Sequence, residues 1–357
     1  MSRNSASSKA SLPQPRVEER VSLRGDTHSP WPHRIAIVLV IATFPLIWIG
    51  GLVTTYKAGM AVYDWPNTFG YNMLLYPIAK WLRGSFDLFI EHGHRLFATF
   101  VGCLTIALVV TVYRSESRTW VKRFSVGMLL LVILQGVLGG MRVLLDRQTL
   151  ALIHGCTANI FFATTVAMAV FTSRLWREPA SGLQTSPKLA RLCWTTTAIA
   201  YTQIVIGAHV RHVTHSMSGS VFKAAVFFHL IVAGLLALSI LYQGGHIMLN
   251  HFGVRKLRTP SMFLSLFVLI QVALGGASWV LKYSWPQFMS QFQFAAEHTI
   301  TAQSFLQGVV VTAHVATGSL ILVFSLTLSL RTSRLMQTAP TTNEGTDSIE
   351  DLAGAIA

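Results

Sequence analysis

The sequence predicts an all-α integral membrane protein with eight transmembrane helices, arranged as two pseudo-symmetric four-helix bundles. Three observations support this fold class. The chain is 52% hydrophobic and only 12% charged, whereas ordinary soluble domains carry about 25% charged residues. The charges cluster around eight long uncharged segments, and motifs in the first four segments recur in the last four.

Each uncharged segment is close in length to the roughly 20 residues that a helix needs to cross a bilayer. Lipid leaves backbone polar groups without partners, so a spanning segment pairs its own N–H and C=O groups as a helix. The segments are Ile35–Tyr56, Leu96–Tyr113, Phe124–Met141, Gln148–Ser173, Leu192–Val210, Ala224–Tyr242, Thr259–Leu281 and Thr299–Leu330.

The basic residues predict the orientation of the chain. In alternate connections, the side that carries both termini holds 19 Lys and Arg, and the opposite side holds nine. The positive-inside rule therefore predicts a multi-pass protein of the plasma membrane with both termini in the cytoplasm. The net charge of +14 is explained by a basic rim facing anionic lipid heads, so we expect no nucleic-acid partner.

Internal repeats predict the domain organisation. The motif Q-x-x-L-G-G occurs at Gln135–Gly140 in the third segment and at Gln271–Gly276 in the seventh. Four helices return the chain to its starting side, so a duplicated four-helix unit gives parallel repeats. The acidic end of the chain is expected to be disordered. The predicted units are a tail (1–33), the first half (34–178), a linker (179–189), the second half (190–334) and a second tail (335–357).

One histidine in, or just before, each even-numbered segment is followed four residues later by Ala or Gly. At 1.5 Å per residue, all four imidazoles fall in the outer half of the membrane. Ionisable groups are costly there and usually functional. Histidine pairs on facing helices hold metals or haem, and a small residue one turn away favours a flat macrocycle. We predict that His94 and His154 ligate one haem iron, and that His229 and His314 ligate a second.

Glu91 makes the two predicted sites unequal. It lies three residues before His94, on the same helical face, whereas Ala151, Val226 and Val311 hold the equivalent positions. Glu91 is therefore the candidate catalytic residue, with capping of the helix start as the alternative. Cys103, Cys156 and Cys193 lie in apolar segments and indicate no disulfide framework. His92 is expected to be a solvated histidine at the helix mouth, and no role is assigned to His209, His212, His215 and His298.

These residues resemble the heme A synthase family. The E-x-x-H-R motif is Glu91–Arg95, and the later histidines lie in "LIHGCTAN", "FFHLIVAG" and "TAHVATG". The glycine motifs "QGVLGG" and "QVALGG" match as well. The resemblance covers roughly residues 34–330, which includes all eight segments.

The resemblance implies oxidation of a methyl group of heme O to a formyl group through successive hydroxylations. The product, heme A, is the prosthetic group of cytochrome c oxidase. Heme B is the implied cofactor in the second half, on His229 and His314. Heme O is the implied substrate in the first half, on His94 and His154, with Glu91 near the oxidised methyl. Heme O synthase and oxidase assembly proteins are candidate partners, and the membrane electron partner is left open.

Cationic side chains near the outer surface are candidates for binding haem propionates, namely Arg95 and Arg142. Two features depart from the family pattern. The first outward loop lacks the cysteine pair that some members carry. In addition, Leu52 and Val53 follow the double glycine where relatives have Thr-Arg, and Lys57 is a candidate substitute.

Other functions share part of this pattern. A dihaem electron-transfer protein of the quinol-oxidising type shares the four histidines but has no need of Glu91. A metal transporter would use the row of His209, His212 and His215. A farnesyl-transferring haem enzyme needs clustered aspartates, whereas the aspartates of the outward loops are widely spaced in the sequence: Asp64, Asp87 and Asp146.

Overall fold

The computed structural model describes residues 29–177, 185–212, 218–283 and 304–337. The predicted tails and linker lie mostly outside these residues. The described residues form eight long helices, which confirms the all-α prediction. They are α1 (Trp31–Thr55), α2 (Phe86–Ser115), α3 (Thr119–Leu145), α4 (Gln148–Phe171), α5 (Pro187–Arg211), α6 (Gly219–Asn250), α7 (Arg255–Tyr283) and α8 (Phe305–Gln337).

By length and composition, seven of these helices qualify as membrane spans, all but α5. Two buried threonines of α5 have hydroxyl partners on neighbouring helices. The hydroxyl oxygen of Thr196 lies 2.6 Å from that of Ser239 on α6, and Thr197 lies 2.9 Å from Ser329 on α8. Seven helices of this kind support a multi-pass membrane protein, and the eighth span stays a prediction.

The two halves close in the same order. In the first half, each helix packs on the next and α4 packs back on α1; in the second, each packs on the next and α8 packs back on α5. The halves meet where α8 contacts α1 and α4. Across this boundary, the Ser319 hydroxyl donates to the Asn159 side-chain oxygen at 2.6 Å. Matching closure is what a duplicated unit requires, although the duplication itself stays a prediction.

Each half has its own apolar core. Leu39, Leu108, Met128 and Met168 are buried together in the first half. Leu189, Ile240, Leu264 and Leu328 are among the buried residues of the second half. These residues lie one or more turns from the four histidines of interest, toward the end of the bundle where the chain enters α1. Dense packing there fixes the helices that carry the functional side chains.

The connection between α1 and α2 forms a small structured layer, which we call the first loop (residues 56–85). It contains two 3₁₀ turns (Ala58–Met60 and Met73–Leu75), a short helix (Ile78–Leu82) and an antiparallel hairpin of β1 (Asn67–Thr68) and β2 (Tyr71–Asn72). The hairpin turns through Phe69 and Gly70, both at positive φ. The Asp64 carboxylate accepts from both of their N–H groups, at 2.8 and 2.7 Å, and so stabilises the turn.

At the opposite end of the bundle, Glu116 joins the α2–α3 turn to the residues after α4. Its carboxylate accepts from Arg118 Nη2 at 2.7 Å and from Arg177 Nη2 at 3.4 Å. Burial raises the pKa of Glu116, but hydrogen bonds and positive charge from Arg118, with the charge of Arg177, lower it further, to about 2. The carboxylate is therefore ionised throughout the physiological range.

We predict that Glu116→Gln lowers the free energy of unfolding by about 1–2 kcal/mol at pH 7, because a charged hydrogen-bond acceptor is lost. The folded-state pKa lies below the ordinary value of 4.5. The stabilisation by Glu116 is therefore complete above pH 4.5 and disappears as the pH falls toward 2. Thermal unfolding in detergent at pH 7 and pH 3 measures this, with the exposed Asp87→Asn variant as control. An equal deficit at both pH values would contradict the assignment.

Candidate active site

The four predicted histidines all lie in the helical turns nearest the first loop. His94 and His154 are in the early turns of α2 and α4, and His229 and His314 are in those of α6 and α8. Each histidine is partly buried, although it sits inside a bundle of eight long helices. The four side chains therefore border space within or between the helices, at one level of the molecule.

A glycine on the preceding helix faces each of these histidines. A Cβ atom added at Gly50 would lie 2.9 Å from Cε1 of His94, and one added at Gly139 would lie 3.4 Å from Cε1 of His154. In the second half, a Cβ atom added at Gly207 would lie 3.1 Å from Cε1 of His229, and one added at Gly275 would lie 3.1 Å from Cε1 of His314. The imidazole occupies the space that a side chain would take, so each glycine admits one histidine.

Three glutamines lie four residues before these glycines, at Gln135, Gln203 and Gln271. The Nε2 atom of Gln203 lies 3.1 Å from Nδ1 of His229, and that of Gln271 lies 3.5 Å from Nε2 of His314. Sequence reasoning recognised only the Q-x-x-L-G-G motif of the third and seventh segments. The common signal is Q-x-x-x-G, which α5 also carries, and α1 has a leucine in place of the glutamine.

We call the two histidines of each half, with the glycines and glutamines next to them, a cradle; the first contains His94 and His154, and the second contains His229 and His314. Several buried polar atoms of the two cradles have no hydrogen-bond partner within the described residues. Each such atom costs about 1–3 kcal/mol unless something satisfies it. The atoms belong to the histidines and to the neighbouring glutamines. They are Nδ1 of His94, His154 and His314, and Oε1 of Gln135, Gln203 and Gln271.

The histidines of the second half are spaced as a shared ligand requires. The ring centroids of His229 and His314 are 6.3 Å apart. Two imidazoles that bind one metal ion from opposite sides have a similar spacing, because each metal–nitrogen bond is about 2.0–2.1 Å. In the first half, His94 and His154 are close enough for a charge on one to affect the other. Glycine cradles, orphaned polar atoms and this spacing together fit a haem.

Glu91 is buried beneath the first loop, with a side chain only 4% exposed. One carboxylate oxygen accepts from the Ala61 N–H at 3.0 Å, and the other accepts from Arg95 Nη2 at 2.7 Å. The helix start is capped instead by Ser85, whose hydroxyl accepts from the Leu88 N–H. The alternative interpretation of Glu91 as a helix cap is therefore wrong.

Arg95 and Arg142 fasten the first loop over this carboxylate. Arg95 donates to the carbonyls of Asp64 at 2.7 Å and Val62 at 2.8 Å. Arg142 donates to the Gly59 carbonyl at 3.0 Å and lies near enough to interact with the charge of Glu91. Both arginines thus have a structural task that the sequence did not reveal, while their contact with haem propionates stays a prediction.

His92 is not solvated, so the expectation for this residue is wrong. Its side chain is buried, and its Nδ1 lies 3.1 Å from the Thr68 hydroxyl. The rings of Tyr76 and Trp81 pack on it at 5.1 and 5.4 Å. The residue turns away from His94, as their spacing predicts, and anchors the hairpin. Its partner is 24 residues away along the chain, which helical periodicity does not report.

The four histidines to which the sequence assigned no role are only partly covered by the described residues. His209 is exposed near the end of α5 and His212 follows the last residue of that helix, while His215 and His298 lie outside the described residues. In the part of the chain that the structure describes, no group of three or more His, Cys, Asp or Glu side chains is placed to hold a bare metal ion. The three cysteines are free thiols: Cys103, Cys156 and Cys193.

The fold and the site define a multi-helix membrane protein with paired histidines suited to haem. The sequence profile described as "Cytochrome oxidase assembly protein" matches residues 33–291, which is more than half of the chain. The chain therefore belongs to the cytochrome oxidase assembly protein family.

Curated relatives with the name heme A synthase match part of the chain. The protein from Symbiobacterium thermophilum is 33% identical over 136 residues, covering 36% of this chain and 44% of the relative. A protein from Methylorubrum extorquens is 27% identical over 162 residues, or 43% and 42% of the two chains. The Brucella ovis protein is 30% identical over 142 residues, or 38% of each. The chain thus spans less than half the length of the relatives it matches.

The contact between glycine and imidazole predicts the effect of one added methyl group. Gly275→Ala should displace His314, whereas Gly276→Ala has open space and should be harmless. Forcing an imidazole from its rotamer costs about 0.5–1.5 kcal/mol, so haem binding should weaken about two- to tenfold. Haem content of the purified variants tests this. Equal haem content in the two variants would show that the contact does not position the ligand.

Proposed function

We propose that this protein is a heme A synthase, which oxidises a methyl group of heme O to a formyl group through successive hydroxylations. One observation carries the proposal. Within the described residues, only the first of the two histidine pairs has a buried carboxylate, Glu91, one helical turn from one of its histidines. Membership of the cytochrome oxidase assembly protein family and the names of the partly matching relatives support the same activity.

The two halves would hold different haems. In the first half, His94 and His154 bind the substrate heme O. In the second half, His229 and His314 bind heme B. Heme B supplies one-electron transfer when bound, and the second half contributes the cage that fixes it. The orphaned Nδ1 of His314 and the 6.3 Å between the rings of His229 and His314 support a haem in the second half.

In each hydroxylation a hydroxyl group replaces one hydrogen of the methyl group; Glu91 would accept the proton that is released, and two electrons would pass to an electron acceptor in the membrane. Its carboxylate is oriented from two directions, by the Ala61 N–H and by the Arg95 guanidinium. Arg95 and Arg142 offset the negative charge, which is costly in a site of low dielectric constant. The first loop covers the group and excludes bulk water from the reacting centre, as proton transfer at a defined position requires.

The same proposal includes the membrane arrangement. All eight long helices cross the plasma membrane, α5 included, and both termini lie in the cytoplasm. The first loop and the four histidines then lie toward the outer face. Haems enter and leave at this level, and heme O synthase and oxidase assembly proteins are the candidate partners. The excess of Lys and Arg on the side of the termini supports this orientation.

The dihaem electron carrier is the weaker candidate. Such a protein needs two haem cages but no acid beside one of them. A buried glutamate held by one arginine and close to another is costly to maintain without a task. The geometry of Glu91 therefore favours an enzyme.

Replacement of Glu91 tests the catalytic assignment. Glu91→Gln keeps an acceptor for the Ala61 N–H but removes the proton acceptor. We expect turnover to fall by about 10²–10⁴-fold, the usual contribution of a general base. Heme O or a hydroxylated intermediate should accumulate while heme B stays bound. Co-expression with a heme O supplier, followed by pigment extraction and chromatography, measures both. Asp87→Asn, one turn earlier and exposed, is the control.

A normal yield of heme A from Glu91→Gln would refute the assignment of Glu91. A heme A yield of zero from wild-type protein that binds both haems would refute the enzyme and favour the electron carrier.

Variants of the four histidines test the proposal that heme B binds in the second half and heme O in the first. His229→Ala and His314→Ala each remove one ligand of the proposed heme B, so the low-spin absorption of purified protein should be lost. His94→Ala and His154→Ala should leave that absorption in place. Visible spectra of dithionite-reduced protein, made without a heme O supplier, compare the four variants. Loss of the signal in the first-half variants alone would reverse the assignment.

A further inference from the structure

Arg211 is the last residue of α5, and its side chain reaches from the second half to α1 in the first half. One terminal nitrogen, Nη2, donates to the Gly51 carbonyl and to the Thr55 hydroxyl, each at 2.7 Å. Both acceptors lie in the last turns of α1, where free carbonyls favour a cation. The guanidinium is thus fixed in direction by α1, although it belongs to the other half.

The surroundings of Arg211 are short of negative charge. A buried guanidinium is costly unless an anion or several acceptors compensate for it. Between residues 179 and 343 the sequence contains one acidic residue, Glu297, which lies outside the described residues. Within the described ranges, every carboxylate lies in the first half, and none pairs with Arg211. They are Asp64, Asp87, Glu91, Glu116 and Asp146.

Arg211 lies at the edge of the second cradle. It is close enough to His314 for their charges to interact. Thr55, which accepts from Arg211, is 3.2 Å from the hydroxyl of Thr312, two residues before His314 on α8. Arg211 is partly buried. Arginine has five N–H donors, and the two contacts to α1 use only those on Nη2.

We propose that Arg211 binds a propionate carboxylate of the haem that His229 and His314 hold. The inference rests on the proposed function, because it requires a haem in the second half. The donors on Nε and Nη1 supply charge-assisted hydrogen bonds to the carboxylate. The propionate in turn supplies the missing negative charge. Neither Arg95 nor Arg142 serves this cradle, because both are engaged with the first loop of the other half.

The test compares heme B with its dimethyl ester, in which both propionates are uncharged. Apo-protein of the full chain is reconstituted with each pigment, and the dissociation constants are measured by absorption. The wild-type protein should bind the ester roughly 10- to 100-fold more weakly, since a hydrogen bond to a charged group contributes about 1.5–3 kcal/mol. Arg211→Gln should lose this preference, and Arg211→Lys should keep part of it.

Loss of the guanidinium should also lower the reduction potential of bound heme B, because nearby positive charge favours the reduced form.

Two control variants isolate the effect. Arg331→Gln removes another partly buried guanidinium, which donates to the Lys256 carbonyl at the opposite end of the bundle, and it should retain the wild-type preference for heme B. Glu297→Gln should also retain it. Equal preference for heme B in Arg211→Gln and wild type would overturn the inference, and so would a Glu297→Gln variant that reproduces the defect of Arg211→Gln. A wild-type protein that binds no haem would overturn the proposed function as well.

Discussion

The packing of an imidazole against a glycine on the preceding helix is the constraint on which the site depends. Small residues allow close approach between membrane helices, where apolar burial gives little driving force. Here a histidine ring occupies the space that a side chain at the glycine would take. This arrangement occurs at four glycines: Gly50, Gly139, Gly207 and Gly275. The position of each histidine is therefore set by two helices at once. The dense apolar cores nearby hold those helices in place.

The same scaffold carries different charges in its two halves. The first half places one acid and two arginines next to its histidines and covers them with an ordered loop. The described part of the second half contains no carboxylate and presents a single guanidinium, Arg211, at the edge of its cradle. Two halves whose helices pack in the same order can thus support two different tasks, because function lies in the side chains that a fold carries. The charges of Glu91 and Arg211 distinguish the tasks proposed for the two halves.

Much of the frame was predictable from the sequence, because uncharged segments and residue spacing are local signals. They gave the long helices, the four histidines and the placement of Glu91 near His94. Contacts across helices were not predictable, because periodicity describes the face of one helix and not its neighbour. The burial of His92 against Thr68, the loop contacts of Arg95 and the reach of Arg211 to α1 all depend on tertiary structure. The weak apolar character of α5 also has a tertiary cause, namely its hydroxyl pairs with α6 and α8.

Those hydroxyl pairs have a consequence for biosynthesis. A helix leaves the translocon for lipid when its own sequence is apolar enough, and α5 is the least apolar of the eight long helices. Thr196 can form its hydrogen bond with Ser239 only after α6 has been synthesised, and Thr197 can bond to Ser329 only after α8 has been synthesised. Integration of α5 is therefore expected to wait for later segments of the nascent chain. The second half would then enter the bilayer as a group, after the first half has already been released.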